Sequence, residues 1–257
     1  MIFDTHIHTR YSVDSDMSLR DAKAIASKRG LGLCVTEHVD YEIDSDKLCV
    51  ADAEGYFGEY GPFGSDSLLL GLEIGLTVNS RAVSRQTASD PRLDFCIGSV
   101  HMSCGHDIYP PSFWRQSIPP EEILGNYLQY TAIVTEKCDF FDSLGHIDYP
   151  SRYCPYQEKD IKYKTYKKLY DEIFTALLDR RKVIEINTKR LDDPAAVQNL
   201  YEVYEGYYKK GGRYVTLGSD AHHAPTVGWN IDKAFHLAEK IGLIPVHYVK
   251  REMRIDA

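Results

Sequence analysis

Short apolar runs recur along the chain, each bounded by turn residues, and their length and makeup are those of β-strands. MIFDTH (1–6), LGLCVTEH (31–38), SLLLGLEIG (67–75), LDFCIGSVH (93–101), FFDSLGH (140–146), VIEINT (183–188) and YVTLGSD (214–220) form the series, and LIPVHYV (243–249) is a weaker eighth. Between several of them the apolar spacing changes to that of an amphipathic helix. SLRDAKAIASKRG (18–30) begins on a capping Ser18 and stops on Gly30, and residues 119–137 begin with prolines and acids. Residues 158–181, 193–212 and 230–242 complete the helices. Alternating strands and helices predict a parallel sheet in an α/β fold.

The polar residues that interrupt the strand pattern fall at strand ends. His6 and His8 close the first run, His38 the second, Glu73 lies near the end of the third, His101 ends the fourth and His146 the fifth, while Asp220 and His222 follow the seventh. The steps from His8 to His38, Glu73 and His101 are 30, 35 and 28 residues, each about one βα unit. Chemistry gathered at the carboxyl ends of successive strands is the layout of a barrel site. His6 and His8 are two apart, so on a strand they face one side and reach one ion together.

With Asp14, nine imidazole or carboxylate ligands are available, and no thiolate joins them. Imidazole with carboxylate suits Zn, Fe or Mn. Nine donors exceed what one tetrahedral zinc uses, so two or three divalent ions sharing a bridging carboxylate are expected.

A chain of 257 residues fits a single α/β barrel domain, 1–257. Thirty basic against thirty-eight acidic residues leave a charge of -8, which excludes the basic footprint of a general nucleic-acid binder. Bound metals would reverse the local potential and admit an anionic substrate. No stretch is apolar enough to span a bilayer, and no signal-peptide pattern opens the chain, so a cytoplasmic protein is expected. The six cysteines show no CxxC pairing and are expected as reduced thiols. The segments 40–66 and 102–120 are polar, aromatic and rich in Gly or Pro; they either wall or cover the site or are ordinary surface loops.

The motifs DTHIHTRYSVDS, TEH (36–38), GLEIG (71–75), GSVH (98–101), LGHIDYPSRY (144–153), EINT (185–188) and GSDAHH (218–223) resemble, in order and over essentially the whole chain, those of the PHP (polymerase and histidinol phosphatase) superfamily. Within it they are most similar to histidinol-phosphate phosphatases. The resemblance implies a distorted (β/α)7 TIM-like barrel carrying a trinuclear site at the C-terminal ends of its strands. His6, His8, Glu73 and Asp220 would hold the first metal, and Glu73 would bridge to a second held by His101 and His146. Asp14, His38 and His222 would hold the third. It also implies a small phosphorylated substrate, L-histidinol phosphate in histidine biosynthesis.

Phosphate monoesters repel nucleophiles, so a catalyst must neutralise charge and supply hydroxide; clustered metals do both, and a metal-bridging hydroxide is the expected nucleophile. Asp220 or His222 would orient it or protonate the leaving alkoxide. Arg152 and Arg190, with Lys189, follow strands five and six and are candidates for gripping phosphate; Arg10 and Arg81 are weaker ones. Asn187 would hydrogen-bond substrate or cap its loop. His223 and His106 are candidates near the substrate, His236 and His247 read as structural, and Tyr11, Tyr149 and Tyr153 as pocket walls or packing residues. Glu42, Asp44 or Asp107 would hold a substrate amine. Rival readings are another phosphoesterase of the same superfamily, an amidohydrolase, and a noncatalytic metal-binding domain. The absence of a lysine between residues 47 and 137 tells against the amidohydrolase.

Overall fold

A computed structural model describes residues 1–42, 49–103 and 105–256; Asp44 and Cys104 lie outside them. Strand β1 (Phe3–Ile7) leads to helix α1 (Leu19–Arg29), β2 (Gly32–Asp40), β3 (Cys49–Val50), α2 (Ala53–Tyr60), β4 (Leu68–Gly75) and α3 (Arg81–Ala88). Next come β5 (Phe95–Ser99), a small hairpin of β6 (Met102–Ser103) and β7 (His106–Asp107), α4 (Pro120–Lys137), β8 (Ser143–Leu144) and α5 (Lys167–Asp179). The chain continues through β9 (Val183–Asn187), α6 (Pro194–Lys209), β10 (Tyr214–Gly218), α7 (Ile231–Ile241), β11 (Ile244–Val249) and β12 (Glu252–Ile255).

The expected mixed α/β fold with a mostly parallel sheet is present, in the order β1-β2-β4-β5-β8-β9-β10-β11-β12. Strand β12 runs antiparallel to β11, and β3 antiparallel to β2. Every residue of β4 is buried, as befits a parallel strand covered on both faces. Strand β1 also lies against the end of β10: Ile7 forms a parallel bridge to Ala221, and the N–H groups of Asp220 and His8 donate to the carbonyls of His6 and Ala221 at 2.7 and 2.8 Å.

Several local signals act as expected. Ser18 Oγ accepts the N–H of Asp21, and Gly30, at φ +67°, ends α1. The helix expected from residue 158 begins only at Lys167. The carbonyl of Ile161 is taken by the Tyr170 hydroxyl (2.8 Å) and the Asn199 amide (3.3 Å), which holds that segment in turns. Helix α2 was not anticipated; its Tyr56, Phe57 and Tyr60 are buried in the core, so much of the 40–66 segment is packing structure.

Alternate residues of the strands share one face, and three layers result. At the amino ends Phe3, Cys34, Leu69, Phe95 and Val183 form an apolar cluster with Val246 and Tyr248 of β11. The next layer is small: Thr36 stands opposite Gly71, and the hydroxyls of Ser143 and Thr216 meet at 2.7 Å although β9 runs between their strands. The third layer begins with His38 opposite Glu73. The C-terminal hairpin seals the apolar end. Phe3 stacks on His247 at 4.0 Å, Asp256 accepts the N–H of Phe3, and Arg251 binds Asp142 and the carbonyls of Ala88 and Phe140. Cys34, Cys96, Cys138 and Cys154 are buried and unpaired. Among the described residues no helix is long and apolar enough to cross a membrane.

Candidate metal centre

The third layer unites all nine ligand candidates. Glu73 is at its centre, fully buried. Its Oε2 is 3.3 Å from both His6 Nε2 and His8 Nε2, and 2.9 Å from His38 Nδ1. Its Oε1 is 3.3 Å from His101 Nε2 and 2.9 Å from His146 Nε2. Asp220 Oδ1 approaches His6 and His8 at 3.9 and 3.5 Å. On the outer side, Asp14 Oδ2 is 3.1 Å from His222 Nε2 and 3.5 Å from His38 Nε2. The side chains therefore fall into three groups, two of which share the two oxygens of one glutamate.

These residues fit divalent metals. Nε2 of His6 and Nε2 of His8 face each other at 3.1 Å, a pairing that lone pairs aimed at one cation explain. His38 Nδ1 and Glu73 Oε2 are buried and face each other at 2.9 Å without the alignment of a hydrogen bond. Buried polar atoms without partners are costly unless something else engages them. Ligand atoms in sets such as His6, His8 and Glu73, or Glu73, His101 and His146, all lie within 4.8 Å of one another.

Without metal, protons hold this cluster together. Burial would raise Glu73, but His6, His38 and His101 carry it well below the usual carboxylate range. Burial opposes a charge on His101, yet Asp40 and Glu73 outweigh it and push its pKa up to about 10. His6 is likewise raised against its burial by Glu73, Glu185 and Asp220, whereas burial and the charges of His38 and His222 lower His8. A metal requires neutral imidazoles, so loading must release the proton of His101 at pH 7.5. Calorimetric binding enthalpies should therefore vary with the ionisation enthalpy of the buffer. A buffer-independent enthalpy at pH 7.5 would contradict this protonation pattern.

Carboxylates that the sequence reading passed over orient the ligands. Glu185 Oε1 lies 2.7 Å from His6 Nδ1, and its Oε2 accepts the His146 N–H at 2.7 Å. Asp40 Oδ1 lies 3.0 Å from His101 Nδ1. Ser12 Oγ contacts His8 Nδ1 at 3.1 Å and donates to Glu37, which also accepts the N–H of Thr9. Such partners fix the ring orientation and tautomer of a ligating histidine. Two glycines make room for them: a Cβ on Gly75 would stand 1.9 Å from Asp40 Oδ1, and one on Gly218 would stand 2.0 Å from Glu185 Oε1. Asp4, buried in β1, accepts the N–H and hydroxyl of Ser219 and the N–H of Gly228, anchoring the turn that presents Asp220. Asp220 itself adopts φ +53°, an uncommon backbone for a non-glycine residue.

A cavity of about 1030 Å³ opens over the cluster, lined by Asp14, His38, Glu73, His101, His146, Asp220 and His222 among others. Arg152 also lines it, half-buried, with Nη1 on Asp220 Oδ2 at 2.5 Å. Its Nε and Nη2 have no partner in the protein. Lys189 is an exposed part of the wall, and Arg190 lines it with a guanidinium already held by Asp148 (3.3 Å) and Asp160 (2.6 Å).

Other candidates are placed elsewhere. Asn187 is not in the wall; its amide donates to Glu185 and its oxygen accepts the Lys189 N–H. Arg10 pairs with Glu59, which also accepts the Tyr11 hydroxyl, and neither these nor Arg81, Glu42 or His106 line the cavity. His223, Tyr149, Tyr153 and Asp107 do line it. His236 pairs with Glu239 on the surface, and His247 pairs with Asp256.

Fold and ligand layer define a class. The PHP domain family model matches residues 4–189, and the chain belongs to that family. Asp220 and His222 lie beyond the matched residues, yet the bonds between β1 and the end of β10 bring them into the same layer. Over 255 residues the chain is 37% identical to a probable histidinol-phosphatase of Clostridium acetobutylicum, with 99% of each covered. It is 32% identical over 246 residues to a histidinol-phosphatase of Lactococcus lactis subsp. lactis, covering 93% of this chain and 91% of that one. The crystal structure of the histidinol phosphate phosphatase from Lactococcus lactis, complexed with Zn, L-histidinol and phosphate, matches with a TM-score of 0.91 at 30% identity, covering 100% of this chain and 99% of that one.

Proposed function

We propose that this protein is a metal-dependent phosphomonoesterase that hydrolyses L-histidinol phosphate to L-histidinol and phosphate, a step of histidine biosynthesis. The observation that carries the reading is the position of Arg152. The residue lines a cavity floored by the ligand cluster, and its Nε and Nη2 have no partner in the protein, which leaves donors for a phosphate dianion. Relatives named for this activity over nearly the full chain support it.

Two to three divalent ions, Zn, Fe or Mn, are the proposed cofactors. His6, His8, Glu73 and Asp220 would hold one, Glu73, His101 and His146 a second, and Asp14, His38 and His222 a third. When bound, such ions neutralise phosphate oxygens and make a water acidic enough to attack at neutral pH. The protein's own groups do the rest. Arg152 and Lys189 grip the non-bridging oxygens, with Arg190 set between Asp148 and Asp160 as a fixed flank. Asp220 and His222 are the proposed proton-handling pair. Burial would raise Asp220, but Arg152 and His6 hold it well below its ordinary range; it therefore stays ionised and is unsuited to donate a proton, which leaves that role to His222.

The sheet's finer form follows the same reading. A distorted seven-stranded barrel in one domain is supported by the bridge from Ile7 to Ala221 and by the meeting of Ser143 and Thr216 across β9. The metal requirement is tested by chelation: phosphate release from p-nitrophenyl phosphate should vanish with bound metal and return with Zn, Fe or Mn. Full activity in verified metal-free protein would refute the proposal.

A further inference from the structure

A second cavity, of about 490 Å³, lies between the start of α1 and the end of α2 and shares no lining residue with the cavity over the ligand cluster. That volume suits a small molecule. Leu19 and Tyr60, both buried, give it an apolar floor, and Phe63, in the turn that follows α2, stands exposed at its edge. The rim is charged. Arg10, Arg20 and Lys23 line it with a single acid, Glu59. That acid is already taken, since its carboxylate accepts from Arg10 Nη2 at 2.5 Å and from the Tyr11 hydroxyl at 2.7 Å. Arg20 and Lys23 remain, and among the described residues neither forms an ion pair; Lys23 Nζ sits 5.5 Å from the centre of the Phe63 ring.

Two uncompensated cations beside an aromatic face match a dianion joined to a flat ring, the cations taking the oxygens and Phe63 the ring. A monocarboxylate would neutralise only one of the two, and inorganic phosphate would leave the apolar floor uncovered. The floor is also one end of a hydrogen-bonded chain. The Tyr60 hydroxyl lies 3.0 Å from Thr9 Oγ1, the hydroxyls of Thr9 and Ser12 both donate to Glu37, and Ser12 Oγ meets Nδ1 of the ligand candidate His8 at 3.1 Å. An occupant packed on Tyr60 therefore bears on His8 from outside the catalytic cavity. The chain already orients that ring, so displacing its Tyr60 end lowers turnover.

We infer that this second cavity is an effector site for a phosphate monoester dianion carrying a flat ring, of the nucleoside monophosphate type, held by Arg20, Lys23 and Phe63 and coupled to the metal centre through Tyr60.

The probe is phenylphosphonate, whose carbon–phosphorus bond resists hydrolysis, and its binding to metal-loaded protein is measured by calorimetry in wild type and in the Arg20→Ala/Lys23→Ala double variant. Wild type should bind one equivalent more than the variant. Phe63→Ala should weaken that extra equivalent by about three- to tenfold and leave the binding of inorganic phosphate unchanged. Equal stoichiometry in wild type and double variant overturns the site. Arg20 and Lys23 are exposed, so turnover of p-nitrophenyl phosphate without the probe should be the same in both proteins. With it, kcat should fall and KM rise in wild type, whereas KM alone should rise in the variant. Purely competitive inhibition in both, with the extra equivalent present, overturns the coupling. A lack of phosphatase activity would defeat the phosphomonoesterase reading alone, because the stoichiometric comparison does not depend on turnover.

Discussion

Replacing Glu73 by alanine is expected to remove bound metal and phosphatase activity together, with activity falling by more than about a hundredfold, since even changes to outer partners of a ligand cost that much. The reason is the glutamate's position between the groups. Oε2 serves the His6, His8 and His38 side, and Oε1 the His101 and His146 side, so one truncation opens both. No neighbouring carboxylate can substitute, because Asp40 and Glu185 are engaged on the far nitrogens of His101 and His6. The metal-free variant would also lack one of the anions that raise His6, His38 and His101, leaving each of these buried imidazoles with less countercharge. Breaking such a buried set costs on the order of 3 kcal/mol. Metal analysis, activity and thermal unfolding measured on one preparation check all three effects. Retention of both metal and activity would refute the bridging role.

Arg152→Ala should act differently. The variant removes the guanidinium that lines the cavity but no metal ligand, so metal content should stay near normal while kcat/KM falls by about a hundredfold to a thousandfold, the loss seen when a preorganised donor to a developing charge is deleted. Part of that loss passes through Asp220, whose Oδ2 holds Arg152 Nη1 and which would be left buried with its charge less compensated. Arg152→Lys should recover only part, because an ammonium restores the charge without the forked donors that meet two phosphate oxygens at once. An unchanged specificity constant for Arg152→Ala would remove this residue from the site.

The convergence of the candidate ligands was legible in the sequence because its logic is periodic. His6, His38, Glu73, His101, His146 and Asp220 each sit at or just past a strand end, and a parallel register brings such ends level. The supporting carboxylates were harder to see. Asp40 stands two residues after His38, and Glu185 two before Asn187, so strand alternation put them on the right face; nothing local said that they would meet histidines from other strands. Gly75 and Gly218 carry the complementary signal, a missing side chain where a neighbour's carboxylate must pass, which only the packed structure makes plain.

At Asn187 and Arg190 the sequence says less. Both belong to a promising strand-end motif, yet Asn187 is spent on Glu185 and its own loop, and Arg190 on Asp148 and Asp160. Position along the chain indicated nearness to the site, whereas availability depended on partners contributed by distant segments. The late start of α5 has the same origin, since Tyr170 and Asn199 take the Ile161 carbonyl that a longer helix would have used.

The most direct test is phosphate release by metal-loaded protein from L-histidinol phosphate, beside p-nitrophenyl phosphate, a nucleoside monophosphate and a bis-aryl phosphodiester. A specificity constant for L-histidinol phosphate far above the other three is the predicted result. A flat profile, or a preference for the diester, would contradict it and assign the metal centre to a different phosphoester.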